Sequence, residues 1–430
     1  MDDVKKWTLY MMFLVAGFAT GIGTLGLFPQ FWLQYGITGL AVHVAFLALF
    51  AYVAILEAET VMRSRYYFVE LYQKVVRKPA MIVVVLAAVV MFLSYYSANV
   101  MLGLLAPLLG TGTVGRLVAK LLMLGIVFVI LTRAKEKTFA IMAIGSLVFV
   151  ISIFITAIAF KTQIPENATF LGLAKHMLVA SVPLSLDMVR DAALRAIYGV
   201  GLGFAFYLML GSFLNERFNA KLIIGAGILI QLVVSLLSTL IVVYAIAPTT
   251  PERLLSYVYG GDEGAIALMG DLPNILSGYP TLLGLIALSL FFAGITSLLP
   301  TAEVGLQIIE SLQKAGRNRA AMYLIGASAL IGLVDSPPAV ADMVLKTVTI
   351  VTFFTAIYEL YPVMVSRKEI GAATVLAGIA LVMFLVAGFH ALITEFRAGG
   401  LYIASGLLAA LLILLGAFGD RVFPPSEEAL

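Results

Sequence analysis

The 430-residue chain has no cysteine, three histidines, two tryptophans and only 12% charged residues. Without cysteine there is no disulfide, no Cys-ligated zinc, no iron–sulfur cluster and no thiol nucleophile. The histidines, His43, His176 and His390, are too scattered along the chain to suggest a histidine-rich metal centre. So little charge excludes an ordinary soluble domain, in which roughly a quarter of residues are charged. Nucleic acid is not an expected partner, because no long basic run with interleaved aromatics occurs.

What the chain has instead is apolar length. Hydrophobic residues make up 62% of it, and the mean hydropathy is +1.06. A bilayer-spanning helix uses about 20 apolar residues, so little chain is left over for anything outside the membrane. Segments such as 81–91 (MIVVVLAAVVM) are apolar on every face, unlike the alternating strands of a membrane barrel. The expected fold is an all-α polytopic membrane protein of about 12 transmembrane helices. Apolar runs between polar breaks place them near 7–35, 37–62, 79–108, 116–132, 138–160, 187–214, 221–248, 281–312, 320–334, 341–365, 369–393 and 401–419. A large catalytic domain has no room in this plan, and an enzyme is not expected. Lys5 and Lys6 precede a run too long for the apolar core of a signal peptide, so the first segment reads as an uncleaved span.

Charge gives orientation. With the N-terminus in the cytoplasm, the inner segments collect Lys5, Lys6, Arg63, Arg65, Lys74, Arg77, Lys78, Arg133, Lys135, Lys137, Arg217, Lys221, Lys314, Arg317, Arg319, Arg367, Lys368 and Arg421. The outer loops collect Glu166, Asp187, Asp191, Glu252, Asp262, Glu263, Asp271, Asp335, Asp342 and Glu395. A multi-pass protein of the plasma membrane, with a cytoplasmic N-terminus, is expected. Basic and aromatic residues alternate over 63–78, which suits an amphipathic helix on the inner leaflet. Residues 161–186 form an outer loop whose Asn167-Ala168-Thr169 is a sequon of the kind that occurs by chance. Residues 249–280 read as a helical hairpin lid.

Two spans carry dense glycine. Span 1 has Gly21, Gly23 and Gly26, followed by Phe28-Pro29, and span 6 has Gly199, Gly201 and Gly203. Such clusters unwind a helix, and backbone freed inside a bilayer is tolerated where it lines a cavity that binds something polar. The two spans occupy the same place in successive blocks of five, and an odd block inverts the topology of the next. The domains so defined are a first repeat at 1–160, the outer loop 161–186, a second repeat at 187–365, and 366–430 with two last spans and a cytoplasmic end.

The stretch 15–29 (VAGFATGIGTLGLFP), followed by Tyr35-Gly36, resembles the first helix of the neurotransmitter:sodium symporter family. Residues 291–297 (FFAGITS) resemble its sodium-binding segment, while 196–206 (AIYGVGLGFAF) and Tyr95-Tyr96 fall where it has substrate residues. The resemblance covers spans 1–10 in order, with sharp motifs in spans 1, 6 and 8. It implies the LeuT fold, a 5+5 inverted repeat with helices 1 and 6 broken, and Na+-coupled import of a neutral amino acid by alternating access. The alternatives are an H+-coupled amino acid transporter of the same fold, using Glu303 or Glu359, and a non-transporting receptor or channel.

Carried over residue by residue, the resemblance implies a sodium site at Gly17, Thr20, Ala293, Thr296 and Ser297. A second ion site would take Ala19, Thr24, Gly199 and Gln231. There the family expects Asn for Thr24, Thr for Gly199 and Asn near Gln231, so one Na+ per cycle is expected. The substrate carboxylate would meet Ile22, Gly23 and Tyr96, and its ammonium the carbonyls of Ala19, Tyr198 and Gly199. Phe92, Tyr198, Gly201, Phe204, Ser297 and Thr301 would line the side-chain pocket, with Gly201 leaving room for a bulky aliphatic or aromatic group. The family's outer gate arginine is Leu27 here, so Arg195 is expected to pair with Asp342 or Asp191, and Lys5 or Lys6 with Glu310 at the inner gate. Ser235 stands where chloride-dependent members have serine, yet Val44 replaces a ligand tyrosine, which leaves chloride undecided. The buried acids Glu57, Glu59, Glu303 and Glu359 are expected to share a hydrogen-bonded cluster in the inner half, with Glu59 as the ungapped match to the family's acid in span 2. The expected partners are the amino acid and the lipid bilayer, with a homo-oligomer left open.

Overall fold

The computed structural model describes residues 3–134, 137–166, 170–260, 268, 270–366 and 371–424. The sequon at 167–169, Asp262 and Glu263 of the expected lid, and the basic residues Lys135, Arg367 and Lys368 lie outside the described residues. Helix dominates, and among the described residues the β pairing is one isolated bridge between Gly36 and Ser181.

Helix α1 (Asp3–Ala19) stops two residues before α2 (Ile22–Ser64). At Gly36, α2 bends through φ 58° and ψ −151°, the junction expected between the first two spans. Glycine is needed there, because a Cβ would run into the Ala180 carbonyl and L-residues avoid positive φ. A short helix, α3 (Phe68–Glu70), runs into a π turn at Leu71–Val75. Then come α4 (Pro79–Leu109), α5 (Thr113–Ala134), α6 (Thr138–Gln163) and α7 (Leu171–Val179). Helices α8 (Leu186–Val200) and α9 (Phe206–Phe213) flank a second interruption. The rest are α10 (Ala220–Ile246), α11 (Pro251–Tyr259), α12 (Pro280–Gln313), α13 (Arg317–Val334), α14 (Pro338–Ser366), α15 (Ala372–Ala398) and α16 (Leu401–Phe418).

Local chemistry explains where these helices start. Pro79, Pro251 and Pro280 stand in first turns, where a missing N–H leaves nothing unpaired. Ser185 and Asn219 cap α8 and α10 by accepting from the amides of Met188 and Leu222 at 3.2 and 3.1 Å.

Nine helices among the described residues are long and apolar enough to cross a membrane. The chain is an all-α, multi-pass membrane protein. Lipid-facing surfaces are visible directly: Val375, Ile379, Val382, Val386, Phe389 and Ile393 form an exposed stripe on α15. Their spacing of three or four residues is one helix face, and only an apolar solvent suits it. Inside, α1, α2, α4, α9, α12 and α14 meet around Leu14, Phe50, Val85, Phe206, Val304 and Val351.

Two sequence expectations change at this level. The segment 63–78 is not simply laid on a leaflet: Phe68, Val69, Leu71 and Tyr72 are buried in protein, and the Tyr72 hydroxyl donates to the Tyr358 carbonyl at 2.6 Å. Asp335, expected in an outer loop, is 0% exposed and ion-paired with Lys120 of α5, also 0% exposed. Ser94 donates to both of its carboxylate oxygens at 3.1 Å. A charge can stay in such surroundings because it is paired and hydrogen-bonded.

Candidate functional site

The first interruption is narrow. From an extended Gly21 (φ −85°, ψ 179°), which no side chain caps, α2 begins afresh. The Thr20 amide donates to the Gly17 carbonyl at 3.3 Å, the Thr24 amide to Gly21 at 3.0 Å, and the Thr20 hydroxyl to Ala16 at 2.5 Å. Gly23 is exposed, with only the end of Leu27 close by.

The second interruption covers 201–205 and is closed by side chains. Gly201, Gly203 and Ala205 have φ of 82°, 98° and 54°. Glu359 of α14 accepts from the amides of Gly203, at 2.9 Å, and Ala205. Thr355 donates to the Gly203 carbonyl at 2.7 Å, and Tyr207 to the Val200 carbonyl at 2.6 Å. Backbone freed in an apolar interior requires such partners. The break expected from Gly199 onward therefore starts two residues later, and Gly199 is still helical.

The two interruptions touch. The Phe18 ring lies over Gly201, where a Cβ would be 2.6 Å from it, and stacks on Phe206 with centroids 3.9 Å apart. Gly17 packs on Ser146 and Thr296, and a Cβ on Gly17 would lie 3.1 Å from the Thr296 Cβ. The Thr296 hydroxyl donates to Phe292 and Ala293 at 2.7 and 3.2 Å. Ser297 reaches across to the Phe18 carbonyl at 3.3 Å, and to Ala293 at 3.3 Å. Thr20 and Ala19 are buried at the end of α1.

Beside Gly21 stand two hydroxyls, Tyr96 Oη 2.9 Å and Ser297 Oγ 3.5 Å from where its Cβ would be. Phe92 stacks on Tyr96, centroids 4.7 Å apart, and leans on Phe204 at 4.9 Å. The Thr301 hydroxyl is engaged by Ser297 of its own helix at 2.8 Å. Gly199 faces Gln231, whose Nε2 donates to Ser235 at 3.0 Å and whose Oε1 is buried without a partner. Thr24 is buried, while Tyr198 is 41% exposed with its ring 6.0 Å from Phe353.

Several expectations are corrected here. The room beside Gly201 is filled by Phe18, so it makes no space for a bulky substrate group. At the outer end, Asp342 accepts from Tyr402 at 2.8 Å, and Asp191 from Tyr35 at 2.8 Å and from Arg190 at 3.0 Å. Both acids expected for Arg195 are thus engaged by other residues, and Arg195 acts on His43 and Tyr257. A different clamp holds this end: Gln30 donates to the Tyr257 carbonyl at 2.6 Å, and the Tyr257 hydroxyl to Gly26 at 2.6 Å. Burial pushes the Tyr257 phenol well above its ordinary range, so it stays a donor. At the inner end Lys5 is exposed and makes no ion pair with Glu310 among the described residues; Glu310 lies in the field of Arg317.

The buried acids are not one cluster either. Glu303 takes two bonds from Arg317, at 2.9 and 2.6 Å, and one from Gln307 at 3.1 Å. Glu59 pairs with Arg63, itself 70% exposed, at 2.9 Å. Glu57 is the fully buried acid of α2, and it is the one in the field of Glu359. Sequence reasoning missed the Lys120–Asp335 pair and the Tyr257 clamp. A lysine inside the apolar run 116–132 was a usable signal for the first; the second rests on residues 231 apart in the chain and had none.

In comparison with known proteins, the chain matches no protein-family model and no curated protein. What the structure itself defines is a class, an all-α multi-pass membrane protein in which two interrupted helices meet.

Proposed function

We propose that this chain is a LeuT-fold member of the neurotransmitter:sodium symporter family, importing a neutral amino acid together with Na+ by alternating access. The observation that carries the reading is the meeting of the two interruptions, with Phe18 over Gly201 and with Tyr96 and Ser297 both at Gly21. Twelve crossings follow if α1 and the start of α2 make one, α2 beyond Gly36 another, α8 with α9 one more, and α13 is included. In support, the 43 residues of α2 extend about 65 Å at about 1.5 Å each, some twice a hydrocarbon core of about 30 Å. The N-terminus is placed in the cytoplasm by the distribution of lysine and arginine.

The chemistry of the site fits such a cargo. The uncapped start of α2 offers the amides of Ile22 and Gly23 at the positive end of a helix dipole, which suits a carboxylate. The Tyr96 hydroxyl adds a donor, and carbonyls at the ends of α1 and α8 suit an ammonium group. Phe92 and Phe204 give the side-chain pocket an apolar wall. The oxygens of Gly17, Thr20, Ala293, Thr296 and Ser297 include no carboxylate, as suits a monovalent hard cation. Na+ held there ties α1 to α12, and its loss to a low-sodium cytoplasm releases that tie. Coupling equals the difference in Na+ affinity between the outward- and inward-facing states. The free Oε1 of Gln231 beside Gly199 supplies one oxygen of a weaker second ion site, with Ala19 and Thr24. Glu303 and Glu359 both have full sets of donors, which disfavours them as proton carriers.

Thermal stability of the purified protein, across a panel of amino acids in Na+ or K+, tests the reading by mass action. A neutral amino acid is expected to raise the melting temperature in Na+ and not in K+, and Thr296→Ala to abolish that increment. Equal stabilisation in both cations contradicts Na+ coupling.

A further inference from the structure

Glu57 lies on α2 with none of its surface exposed, and neither of its carboxyl oxygens has a hydrogen-bond partner. A bare carboxylate is among the costliest groups to bury in an apolar interior unless it is paired or neutral. No cation faces it among the groups that act on it. These are Glu359 of α14, Tyr207 of α9 and Tyr72 of the π turn. On its own helix Glu59, two residues on, is held by Arg63 near the surface.

Glu359 is in the opposite condition. Its two oxygens accept the amides of Gly203 and Ala205, and two N–H donors are what an ionised, acceptor-only carboxylate takes. Two charged carboxyls facing one another without a cation do not both stay ionised; the pair keeps a proton. The donors decide where it sits. Glu359 has them and Glu57 has none.

We propose that Glu57 is a proton-binding site, carrying the one proton held by the Glu57–Glu359 pair, and that this proton exchanges with water in the folded protein. The geometry of 201–205 sets its position. When that segment moves, Glu359 loses the amides that keep it ionised, and the proton passes from Glu57 to Glu359 or out to water. A proton is thus bound or released as the second interrupted helix changes shape. The site is separate from the sodium oxygens and from the amides at Ile22 and Gly23, and it stands whether or not the symporter reading does.

Infrared difference spectroscopy on the purified protein, recorded against pH in H2O and D2O, tests this without substrate or Na+. The expected signal is the carbonyl stretch of a protonated carboxylic acid that lacks a strong hydrogen bond. It shifts in D2O and disappears reversibly as the pH is raised while the protein stays folded. Glu57→Gln, a neutral isostere, removes the band, and Glu359→Gln keeps it. Should Glu57→Gln fail to fold, Glu57→Asp serves instead, because the band then moves to the frequency of an aspartic acid. Absence of any protonated carboxyl band overturns the proposal. So does a band untouched by substitution at Glu57 and lost with Glu359→Gln. A band that neither exchanges with deuterium nor titrates before unfolding also overturns it, since Glu57 would then be a fixed neutral acid.

Discussion

At 201–205, backbone groups released from the helix are taken by Glu359, Thr355 and Tyr207, two of them on a helix some 150 residues away in the chain. At 20–21 they are met by neighbours in sequence, and the start of α2 has no capping side chain. One interruption is completed by the protein, and the other leaves donors exposed around Gly23. Unmet backbone polarity in an apolar interior calls for a partner. The protein supplies that partner at the second break, and in the proposed mechanism the cargo supplies it at the first. The closed break is then the hinge and the open one the binding site.

Substitutions can break or sharpen this contrast. Glu359→Ala should have the largest effect, stranding two buried amides at about 1–3 kcal/mol each; a fall in the melting temperature larger than for the other two variants checks it. Gly201→Ala comes next. Its φ of 82° and the ring of Phe18 leave no room for a methyl group, and strain of this kind costs roughly 1–3 kcal/mol. Gly23→Ala should change stability least, by less than about 0.5 kcal/mol, because a Cβ there meets only Leu27 at 3.6 Å. Yet it should remove the amino-acid-dependent rise in melting temperature, since the methyl group enters the space the carboxylate needs. If instead Gly201→Ala were neutral and Gly23→Ala unfolded the protein, the assignment of closed and open breaks would be reversed.

Much of the helical plan is readable from apolar runs. The expected span 79–108 is the helix Pro79–Leu109, and 401–419 is Leu401–Phe418. Glycine density pointed to both interruptions, but not to their edges. Those depend on which amides Glu359 and Thr355 reach from α14, a contact across the chain with no trace in local sequence. The buried acid of α2 shows the same limit. Glu57 and Glu59 differ by two residues, about 200° around a helix of 3.6 residues per turn, so they face opposite ways. An ungapped register chooses Glu59, and packing chooses Glu57. The space beside Gly201 could not be read either, because what fills it is Phe18, from the other interrupted helix.

Uptake of labelled neutral amino acids into proteoliposomes, driven by an imposed inward Na+ gradient, bears most directly on the open break as the seat of Na+-coupled transport. Accumulation above the external concentration is expected with Na+ and not when K+ replaces it, and Gly23→Ala and Thr296→Ala should each abolish it. Accumulation that is equal in Na+ and K+, or that survives both substitutions, would contradict it.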